Sequence, residues 1–325
     1  MPKIPNSVVD LTTAREAMLV NMLLSEPMSP EHVTKAPNVV WHYTDAGGVR
    51  GIVGELELWA TDALFMNDAS ELQLIQGLFH EMVLDFEFTN ERLPDPGERR
   101  AVIQAFDGAI SAFQEDPGVY AVCFCEDGDL LSQWNTYGRG GGGYSLGLDS
   151  KALAALDPAV VGELDFFQVI YDRYEQRIAV YRFVEVAINV IDLYFEHHPD
   201  KPRIEILNLA GECLAQLAQW FSARVKDAAF EQEREWRLIY RHKLDRNEVA
   251  SYPREFRSTD RGLIPYVRLP LGDLHKKLRG EVFPLEEVKI GPTAREDLAA
   301  RALSYLLKDS GFDITASSSK IPLRI

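Results

Sequence analysis

Two long apolar runs at helical spacing, separated by two prolines, constrain the fold of this chain more than any other feature. Their apolar positions recur every three or four residues at Tyr181, Val184, Ile188, Ile191 and Phe195, and, with a single step of five, at Ile206, Leu209, Leu214, Leu217 and Phe221. Pro199 and Pro202 lie between the runs, so we predict a helical hairpin over about residues 173–226. Segments typical of strands lie on both sides of it, and this order favours an α+β fold over a doubly wound parallel sheet.

Alternation of apolar residues predicts the strands that surround the hairpin. They are expected at residues 39–44, 56–61, 119–124, 144–148, 166–171, 236–241, 263–269, 288–290 and 313–316. We expect mixed or mainly antiparallel sheets in one α+β domain over residues 39–325, with the hairpin at about 173–226 as a helical insertion. Residues 1–38 are expected to form an N-terminal helical segment that Thr12 or Thr13 caps.

The acidic composition limits the partners of the chain. Its 325 residues carry a formal net charge of -16, and the sequence pI is about 4.9. Because binding to duplex nucleic acid depends on many Lys and Arg contacts with phosphates, such a partner is disfavoured. A local basic pocket for a small phosphate-bearing ligand remains compatible with this mean charge. No apolar run approaches the ~20 residues of a membrane-spanning helix, and the first residues do not resemble a signal peptide. We therefore expect a cytoplasmic protein without a membrane partner.

Cysteine usage gives no sign of a disulfide framework or of a metal site. The three cysteines are Cys123, Cys125 and Cys213, an odd and small number. Cys123 and Cys125 alternate on a predicted strand and are interpreted as two small core residues. No further ligands stand nearby at a spacing that zinc would need, so no metal is expected.

The first polar cluster, His42-Tyr43-Thr44, ends a predicted apolar strand and therefore lies at the rim of a sheet. His42 is either a histidine at the core edge with its hydrogen bond satisfied or a residue of a binding site. A second cluster places Thr61 shortly before Asp68 and Glu71. Asp68 and Glu71 have the spacing of a helix capping box, which is an alternative to any role in a site.

Two aromatic residues and a glycine-rich segment form the third cluster. Trp134 and Tyr137 are three residues apart and would share a face of a helix, either as a core pair or as a wall on which a flat ring stacks. Residues 138–143 satisfy the spacing G-x-G-x-x-G, but a predicted helix precedes them and a predicted strand follows. A dinucleotide-binding fingerprint needs the opposite order, so we interpret the segment as a flexible connection or a loop close to a ligand.

The fourth cluster is Glu233-Arg234-Glu235-Trp236-Arg237, at the start of a late predicted strand. Glu233 and Glu235 can point the same way from such a strand, and like charges so placed repel unless a cation pairs them. Arg237 lies on the same alternation and is the expected partner. The pattern is consistent with an ion-paired strand start and also with carboxylates in a site.

Taken in order, these motifs resemble those of a bacterial family catalogued as domain of unknown function 2971. The shared pattern comprises His-Tyr-Thr, Asn-Asp-x-x-Glu, Cys-Phe-Cys followed by Leu-x-x-Trp-x-x-Tyr, a glycine-rich turn, Glu-x-Glu-Trp-Arg, Ile-Gly-Pro and a Ser-x-Ile-Pro-x-Arg end. The resemblance covers about Val39 to Arg324, and the hairpin at about 173–226 is not part of the pattern.

That family is in turn distantly similar to ADP-ribosyltransferases, which carry a His on an early strand, an aromatic or Ser/Thr element in the middle and a Glu on a late strand. The resemblance implies an ADP-ribosyltransferase-like fold, with His42 and the pair Glu233 and Glu235 as first and last elements. It also implies that NAD⁺ is a substrate whose nicotinamide–ribose bond is cleaved, with ADP-ribose passed to an acceptor macromolecule whose identity is open. A toxin or a phage-defence effector would be a compatible setting.

The resemblance implies a role for each candidate residue. Glu235 would stabilise the oxocarbenium-like transition state, and Glu233 would orient the incoming nucleophile. His42 and Thr44 would hold the adenosine-side ribose. Thr61, Trp134 and Tyr137 are the candidates for the middle element. The candidates for stacking on nicotinamide are Tyr43, Trp134 and Tyr137, and the candidates for neutralising the pyrophosphate are Arg50, Arg237 and Arg324.

Two other functions fit the same residues. The first is a module that binds a nucleotide, or a protein partner, without turnover. The second is metal-dependent hydrolysis by His42, Asp68, Glu71 and Glu235. The second is disfavoured because the sequence contains no compact metal-ligand motif.

Overall fold

The computed structural model of the chain describes residues 36–66, 70–84, 93–113, 118–138, 142–156, 164–197, 199–241, 252–259, 262–274, 283–293 and 295–322. The described residues form two compact units. A helical unit draws on Asn67–Pro117 and Ile170–Ala228, and a sheet unit draws on Gly118–Val169 and Ala229–Ile325 together with the described residues 36–66. The predicted N-terminal helical segment lies outside the described residues except for 36–38. The prediction of one domain over 39–325 stays a prediction.

The described elements are numbered here in chain order. They are β1 Val39–Thr44, α1 Ala46–Glu55, β2 Leu58–Asp62, α2 Ser70–Leu84, α3 Pro96–Phe113, β3 Val119–Cys125, α4 Leu131–Tyr137, β4 Tyr144–Asp149, α5 Ser150–Ala154, β5 Leu164–Gln168, α6 Arg173–His197, α7 Arg203–Ser222, β6 Glu235–Arg241, β7 Arg254–Thr259, β8 Gly262–Leu269, β9 Leu285–Ile290, α8 Glu296–Asp309 and β10 Ser317–Ser318. Short 3-10 helices cover Ala63–Phe65 and Ala228–Glu233.

The sheet unit is built on one sheet in which eight strands follow the order β10-β9-β4-β1-β3-β2-β8-β7. The strands β5 and β6 extend it from β3, since β6 pairs with β3 and β5 pairs with β6. Among the described strands all pairings are antiparallel except that of β9 with β10. The expected α+β class with a mainly antiparallel sheet is therefore confirmed.

The strand β3 has three partners, and this divides the sheet. One edge of β3 pairs with β6 along its whole length, from Val119 to Cys125. The other edge is shared, because β1 pairs with it at Cys125 and β2 pairs with it at Tyr120 and Ala121. We call the stretch of β3 between Ala121 and Cys125, where β1 and β2 diverge, the sheet split.

The two faces of the sheet differ in character. One face supplies an apolar core, with Val40, Val122, Phe124, Leu146, Leu238 and Val267 among its buried side chains. Strand alternation places the intervening residues on the opposite face, including Thr61, Cys123, Glu235 and Arg237. The buried charged residues Glu235 and Arg237 therefore lie on the face opposite this apolar core.

The helical unit packs α2, α3, α6 and α7 around a shared apolar core. Buried residues from all four helices contribute, among them Phe79, Phe106, Phe183 and Phe221. The predicted helical hairpin at about 173–226 is confirmed as α6 and α7, separated by Pro199 and Pro202. It is more than an isolated addition, because it shares this core with two helices that precede it by many residues. No helix among the described residues is both long and apolar enough to cross a membrane.

Five strands differ from the sequence prediction. The strand β5 lies at Leu164–Gln168 and not at 166–171, and β9 begins at Leu285 and not at 288. The strand β2 begins at Leu58, later than predicted, because Leu56 adopts a left-handed conformation (φ 57°) that ends α1. The terminal strand lies at Ser317–Ser318 and not at 313–316. The edge strand β7 was missed because its exposed, charged sequence REFRST lacks the apolar alternation that marks a half-buried strand.

Candidate functional site

The side chain of His42 lies at the sheet split. Its Nδ1 is 2.9 Å from the carbonyl oxygen of Cys123, where β1 has left the edge of β3. A carbonyl only accepts hydrogen bonds, so Nδ1 carries the proton and Nε2 is the acceptor of the neutral ring. Burial lowers the pKa of His42 most strongly, the Cys123 hydrogen bond opposes this, and the positive charge of Arg257 lowers it further. His42 is therefore a neutral imidazole whose Nδ1–H donates to the backbone carbonyl of Cys123 at the edge of β3.

Glu235 and Arg237 form a buried ion pair on β6, across the other edge of β3. Nε of Arg237 donates to Oε1 of Glu235 at 2.9 Å, and Nη2 donates to Oε2 at 3.1 Å. The two side chains are 5% and 1% exposed. Their partners on β3 are Cys125, opposite Glu235, and Cys123, opposite Arg237. The predicted ion pair is confirmed, and a guanidinium so engaged is no longer our candidate for binding a pyrophosphate.

Glu233 does not share the alternation of Glu235. The strand β6 begins at Glu235, whereas Glu233 ends the 3-10 helix that precedes it. Arg234, between them, has φ 40°, a left-handed conformation that is uncommon outside glycine. The expectation that both carboxylates point the same way from one strand is therefore corrected. They are brought near each other by a turn and not by strand geometry.

Tyr137 ends α4, and the charges of Glu233 and Glu235 both act on its phenol. Burial is the largest cause that raises the pKa of this phenol, and the charges of Cys123, Glu235, Glu233 and Cys125 raise it further. The side chain as a whole is nevertheless 41% exposed. The phenol is therefore within reach of both carboxylate charges, while part of the residue is exposed to solvent. The structure brings together Tyr137, Glu233 and Glu235.

Trp134 and Tyr43 belong to a small core beside the sheet split. Trp134 is 0% exposed and contacts the ring of Tyr43 edge to face, at 4.7 Å between centroids. The hydroxyl of Tyr43 donates to the carbonyl of Asp127 and accepts from the N–H of Leu130, both at 2.8 Å. We therefore no longer assign Tyr43 or Trp134 to stacking on a ligand: the core alternative holds for Trp134, and of the two aromatic residues on α4 only Tyr137 keeps an exposed ring.

Asp129, which no sequence motif includes, connects the Leu-x-x-Trp-x-x-Tyr motif with the Ser-x-Ile-Pro-x-Arg end through hydrogen bonds. Its carboxylate accepts hydrogen bonds from Nε1 of Trp134 (2.8 Å), from Oγ of Ser319 (2.5 Å) and from the backbone N–H of Lys320 (2.8 Å). Burial acts to raise the pKa of Asp129, but these hydrogen bonds outweigh it and the pKa is lowered. The Ser-Lys-Ile-Pro end is thereby held against the loop before α4. A lone Asp in a loop carries no sequence signal for this role.

Thr44 and Thr61 lie on either side of the sheet split. Oγ1 of Thr44 lies so close to Gly48 that a Cβ there would come within 1.8 Å of it, so Thr44 packs against the first turn of α1. Oγ1 of Thr61 accepts a hydrogen bond from Nη2 of Arg257 at 2.8 Å. Arg257 is on β7, the strand that the sequence did not predict, so this partner of Thr61 was also missed.

The glycine-rich segment joins α4 to β4, the order that argued against a dinucleotide-binding fingerprint. A Cβ at Gly143 would lie 2.5 Å from Cα of Gly138, so the two described ends of the segment pack directly against each other. The carbonyl of Gly143 also accepts from the N–H of Gly291, in the Ile-Gly-Pro motif, at 2.9 Å. At these ends glycine is required for close packing.

Within the part of the chain that the structure describes, no group of three or more His, Cys, Asp or Glu residues could hold a metal ion. Asp68, a member of the metal-dependent alternative, lies outside the described residues. Glu71 is in the first turn of α2, in the helical unit. The expectation that no metal is bound stays a prediction.

Comparison with known proteins gives one match. Residues 133–238 match a family described as "Protein of unknown function (DUF2971)". The matched segment includes Trp134, Tyr137, the glycine-rich loop and the Glu-x-Glu-Trp-Arg motif, and it supports the resemblance to that family. No curated protein and no solved structure matches the chain. The resemblance to ADP-ribosyltransferases has no support from these comparisons.

Proposed function

We propose that the sheet split binds NAD⁺ and that the protein cleaves the nicotinamide–ribose bond, transferring ADP-ribose to an acceptor. One observation carries the proposal: His42 and Glu235 flank the same strand. His42 hydrogen-bonds to Cys123 of β3 from one edge, and Glu235 pairs with Cys125 from the other edge. Neighbouring strands are about 4.8 Å apart, so the two residues lie on strands separated by about 10 Å. His42 shares the alternation of Val40 and contacts Phe124 of the apolar face, whereas Glu235 lies on the opposite face, so a dinucleotide that meets both residues has to pass through the sheet split.

His42 has the protonation state that a ribose partner needs. With its proton on Nδ1 and its pKa lowered by burial, the ring is neutral and Nε2 is an acceptor. A sugar hydroxyl can donate to this nitrogen. This supports the role of His42 in holding the adenosine-side ribose.

Glu235 has the charge state that the reaction needs. Loss of nicotinamide builds positive charge on the ribose, and a fixed carboxylate stabilises an oxocarbenium-like transition state. The bidentate contact with Arg237 favours the ionised form of the Glu235 carboxyl over the protonated form. Each carboxylate oxygen has more than one lone-pair site, so Glu235 can also accept a hydrogen bond from a ribose hydroxyl. Glu233 is near the same phenol and can orient the nucleophile.

Tyr137 is the best candidate for the middle element. Its ring is partly exposed, and the charges of Glu235 and Glu233 act on its phenol. A flat nicotinamide ring can stack on the exposed part of the phenol. The buried Trp134 cannot offer a face in this conformation, and Thr61 is engaged by Arg257.

A second candidate function is a nucleotide-binding module without turnover. The observation that favours it is the state of Glu235, whose two oxygens both accept from Arg237 and whose side chain is 5% exposed. A carboxylate so enclosed can serve to fix β6 at the sheet split without taking part in chemistry.

Nicotinamide release from NAD⁺ separates the two candidates. We would measure release by the purified protein, with and without cell lysate, beside Glu235→Gln and Tyr137→Phe. The first variant removes the negative charge that Arg237 contacts and can weaken the fold, whereas the second removes one hydroxyl and leaves the ion pair intact. Release that falls in folded Glu235→Gln, with a smaller fall in Tyr137→Phe because that variant keeps the ring, supports the enzyme. Dependence on lysate supports a macromolecular acceptor. Absence of release, together with stabilisation by NAD⁺, supports the binding module.

A further inference from the structure

Arg257 projects from the edge strand β7 onto the polar face of the sheet, beside the sheet split. Its guanidinium donates from Nη2 to Oγ1 of Thr61 at 2.8 Å. Its Cζ lies 5.8 Å from the ring centroid of Tyr266, which is itself stacked on Trp59 at 4.7 Å. A hydroxyl and an aromatic ring thus fix the guanidinium in one place.

Of the two neighbouring arginines on this part of the sheet, Arg268 is paired with carboxylates, whereas Arg254, like Arg257, donates to a hydroxyl. Arg268 forms ion pairs with Glu255, Glu55 and Glu57. Arg254, on the same strand as Arg257 but on the opposite face, donates from Nε to the hydroxyl of Tyr120 at 2.8 Å. Among the described residues, no carboxylate lies within ion-pairing distance of Arg257.

The environment of Arg257 is that of a cation prepared for an anion. Burial lowers its pKa most strongly, whereas Tyr266 and Asp45 act to raise it. The negative charge of Asp45 acts on Arg257. The Asp45 carboxylate is itself the N-cap of α1 and accepts a hydrogen bond from the N–H of Gly48 at 2.9 Å. A guanidinium that has been partly removed from water without a carboxylate partner is costly, and an anion from solution would offset that cost.

We infer that Arg257 and Thr61 form a binding site for a phosphate-type anion, with pyrophosphate or a nucleotide diphosphate as the matching class. The guanidinium has further N–H donors in a planar fork, which suits two phosphate oxygens at once. The hydroxyl of Thr61 accepts from Arg257 and keeps its own proton to donate. The ring of Tyr266 lies beside the guanidinium, 5.8 Å from its Cζ to the ring centroid. The site differs from the arginines that the sequence suggested, and anion binding there does not depend on NAD⁺ cleavage.

The matched pair of variants is Arg257→Gln and Arg254→Gln. Both remove one positive charge from β7, three residues apart, but from opposite faces of the sheet. Binding of inorganic pyrophosphate to the full chain is measured by isothermal titration calorimetry. We expect binding to weaken at least about tenfold in Arg257→Gln, as loss of a charge-assisted hydrogen bond predicts, and to change less than about threefold in Arg254→Gln.

A second variant, Arg257→Lys, tests the geometry of the site. Lysine keeps the charge but not the planar fork, so we expect pyrophosphate binding intermediate between the wild type and Arg257→Gln. Equal losses of pyrophosphate affinity in Arg254→Gln and Arg257→Gln would mean that only the net charge of the protein matters, and this would overturn the inference. Absence of pyrophosphate binding by the wild type at about 10 mM would also overturn it.

His42 provides an independent readout of the same event. Because the charge of Arg257 contributes to lowering the pKa of His42, an anion bound at Arg257 should raise the pKa of His42 in an NMR titration. Arg257→Gln should raise it without any anion, and pyrophosphate should then have no further effect. If neither Arg257→Gln nor added pyrophosphate changes the pKa of His42, the proposed site is contradicted. Because neither measurement uses NAD⁺, failure here and failure of the proposed enzyme activity are separate results.

Discussion

Arg237 donates to both carboxylate oxygens of Glu235, two residues earlier on the same strand, at 2.9 and 3.1 Å. The pair lies against the strand that His42 contacts from its other edge. Burying an ion pair costs desolvation of both groups, so its presence is weak evidence for added stability. It does fix the charge of Glu235 at the place where the proposed chemistry needs it.

The pair makes a prediction about stability. Glu235→Gln should destabilise the fold by about 3–5 kcal/mol, because it removes the charged partner that accepts two hydrogen bonds from the buried guanidinium of Arg237. The double variant Glu235→Leu, Arg237→Met should lose less than Glu235→Gln alone, because no charge remains buried. Urea unfolding of the variants measures both quantities. A loss below about 1 kcal/mol for Glu235→Gln would indicate a pair exposed to solvent, contrary to the structure.

His42 makes a prediction about pH. Its pKa is lowered in the folded protein, so the unfolded chain takes up a proton first as the pH falls through the ordinary value of 6.5. Stability is therefore lost as the pH falls below about 6.5, and the loss ends once the pH passes the folded pKa. In His42→Asn this loss is absent, so the stability difference between wild type and variant should shrink between about pH 8 and about pH 5. A difference independent of pH would exclude the neutral, buried imidazole.

Asp129 predicts how the C-terminal segment is held. Asp129→Asn removes a charged acceptor from Trp134, Ser319 and the N–H of Lys320, and should cost about 1–3 kcal/mol. Asp127→Asn is the control, because the Asp127 carboxylate is exposed and accepts from the N–H of Asp129. Since the pKa of Asp129 is lowered, its contribution is present above the ordinary value of 3.8 and is lost as the pH falls further. Urea unfolding and amide exchange at Lys320 test this, and equal behaviour of the two variants would contradict it.

Gly128 predicts a tight contact next to Asp129. A Cβ at this position would lie 2.3 Å from the ring of Trp41, which is buried at the edge of the sheet split. Gly128→Ala should therefore destabilise the protein by about 1–3 kcal/mol through overpacking. At Gly142 an added Cβ meets nothing within 4 Å, so Gly142→Ala should change stability little. Thermal unfolding compares the two, and similar melting temperatures would show that Trp41 moves freely.

The strands whose side chains alternate between core and polar face were predictable from the sequence. β1, β3, β4 and β6 were placed within one or two residues, because one face of each is apolar. The edge strand β7 was not, since both of its faces are largely exposed and its residues are charged. Because Arg257 lies on this strand, its hydrogen bond to Thr61 was not predicted either.

The candidate site was partly predictable. The pairing of Glu235 with Arg237 followed from two-residue alternation on one strand, which is a local property. The contact of His42 with Cys123 could not be predicted, because it depends on how β1 and β2 share one edge of β3. The separation of Trp134 from Tyr137, one buried and one exposed, depends on the core that α4 packs against. Non-local pairing is the information that the sequence patterns lacked.

The most direct test of the account is nicotinamide release from NAD⁺ by the purified protein and by Tyr137→Phe and Glu235→Gln, each first shown to be folded. We predict release by the wild type and a fall of about 10²–10³-fold in Glu235→Gln, the loss typical of a single electrostatic group in an active site. Tyr137→Phe should show a smaller fall with the ion pair intact. Release that is unchanged in Glu235→Gln, or no release with or without lysate, would contradict the enzyme and leave the sheet split as a binding site alone.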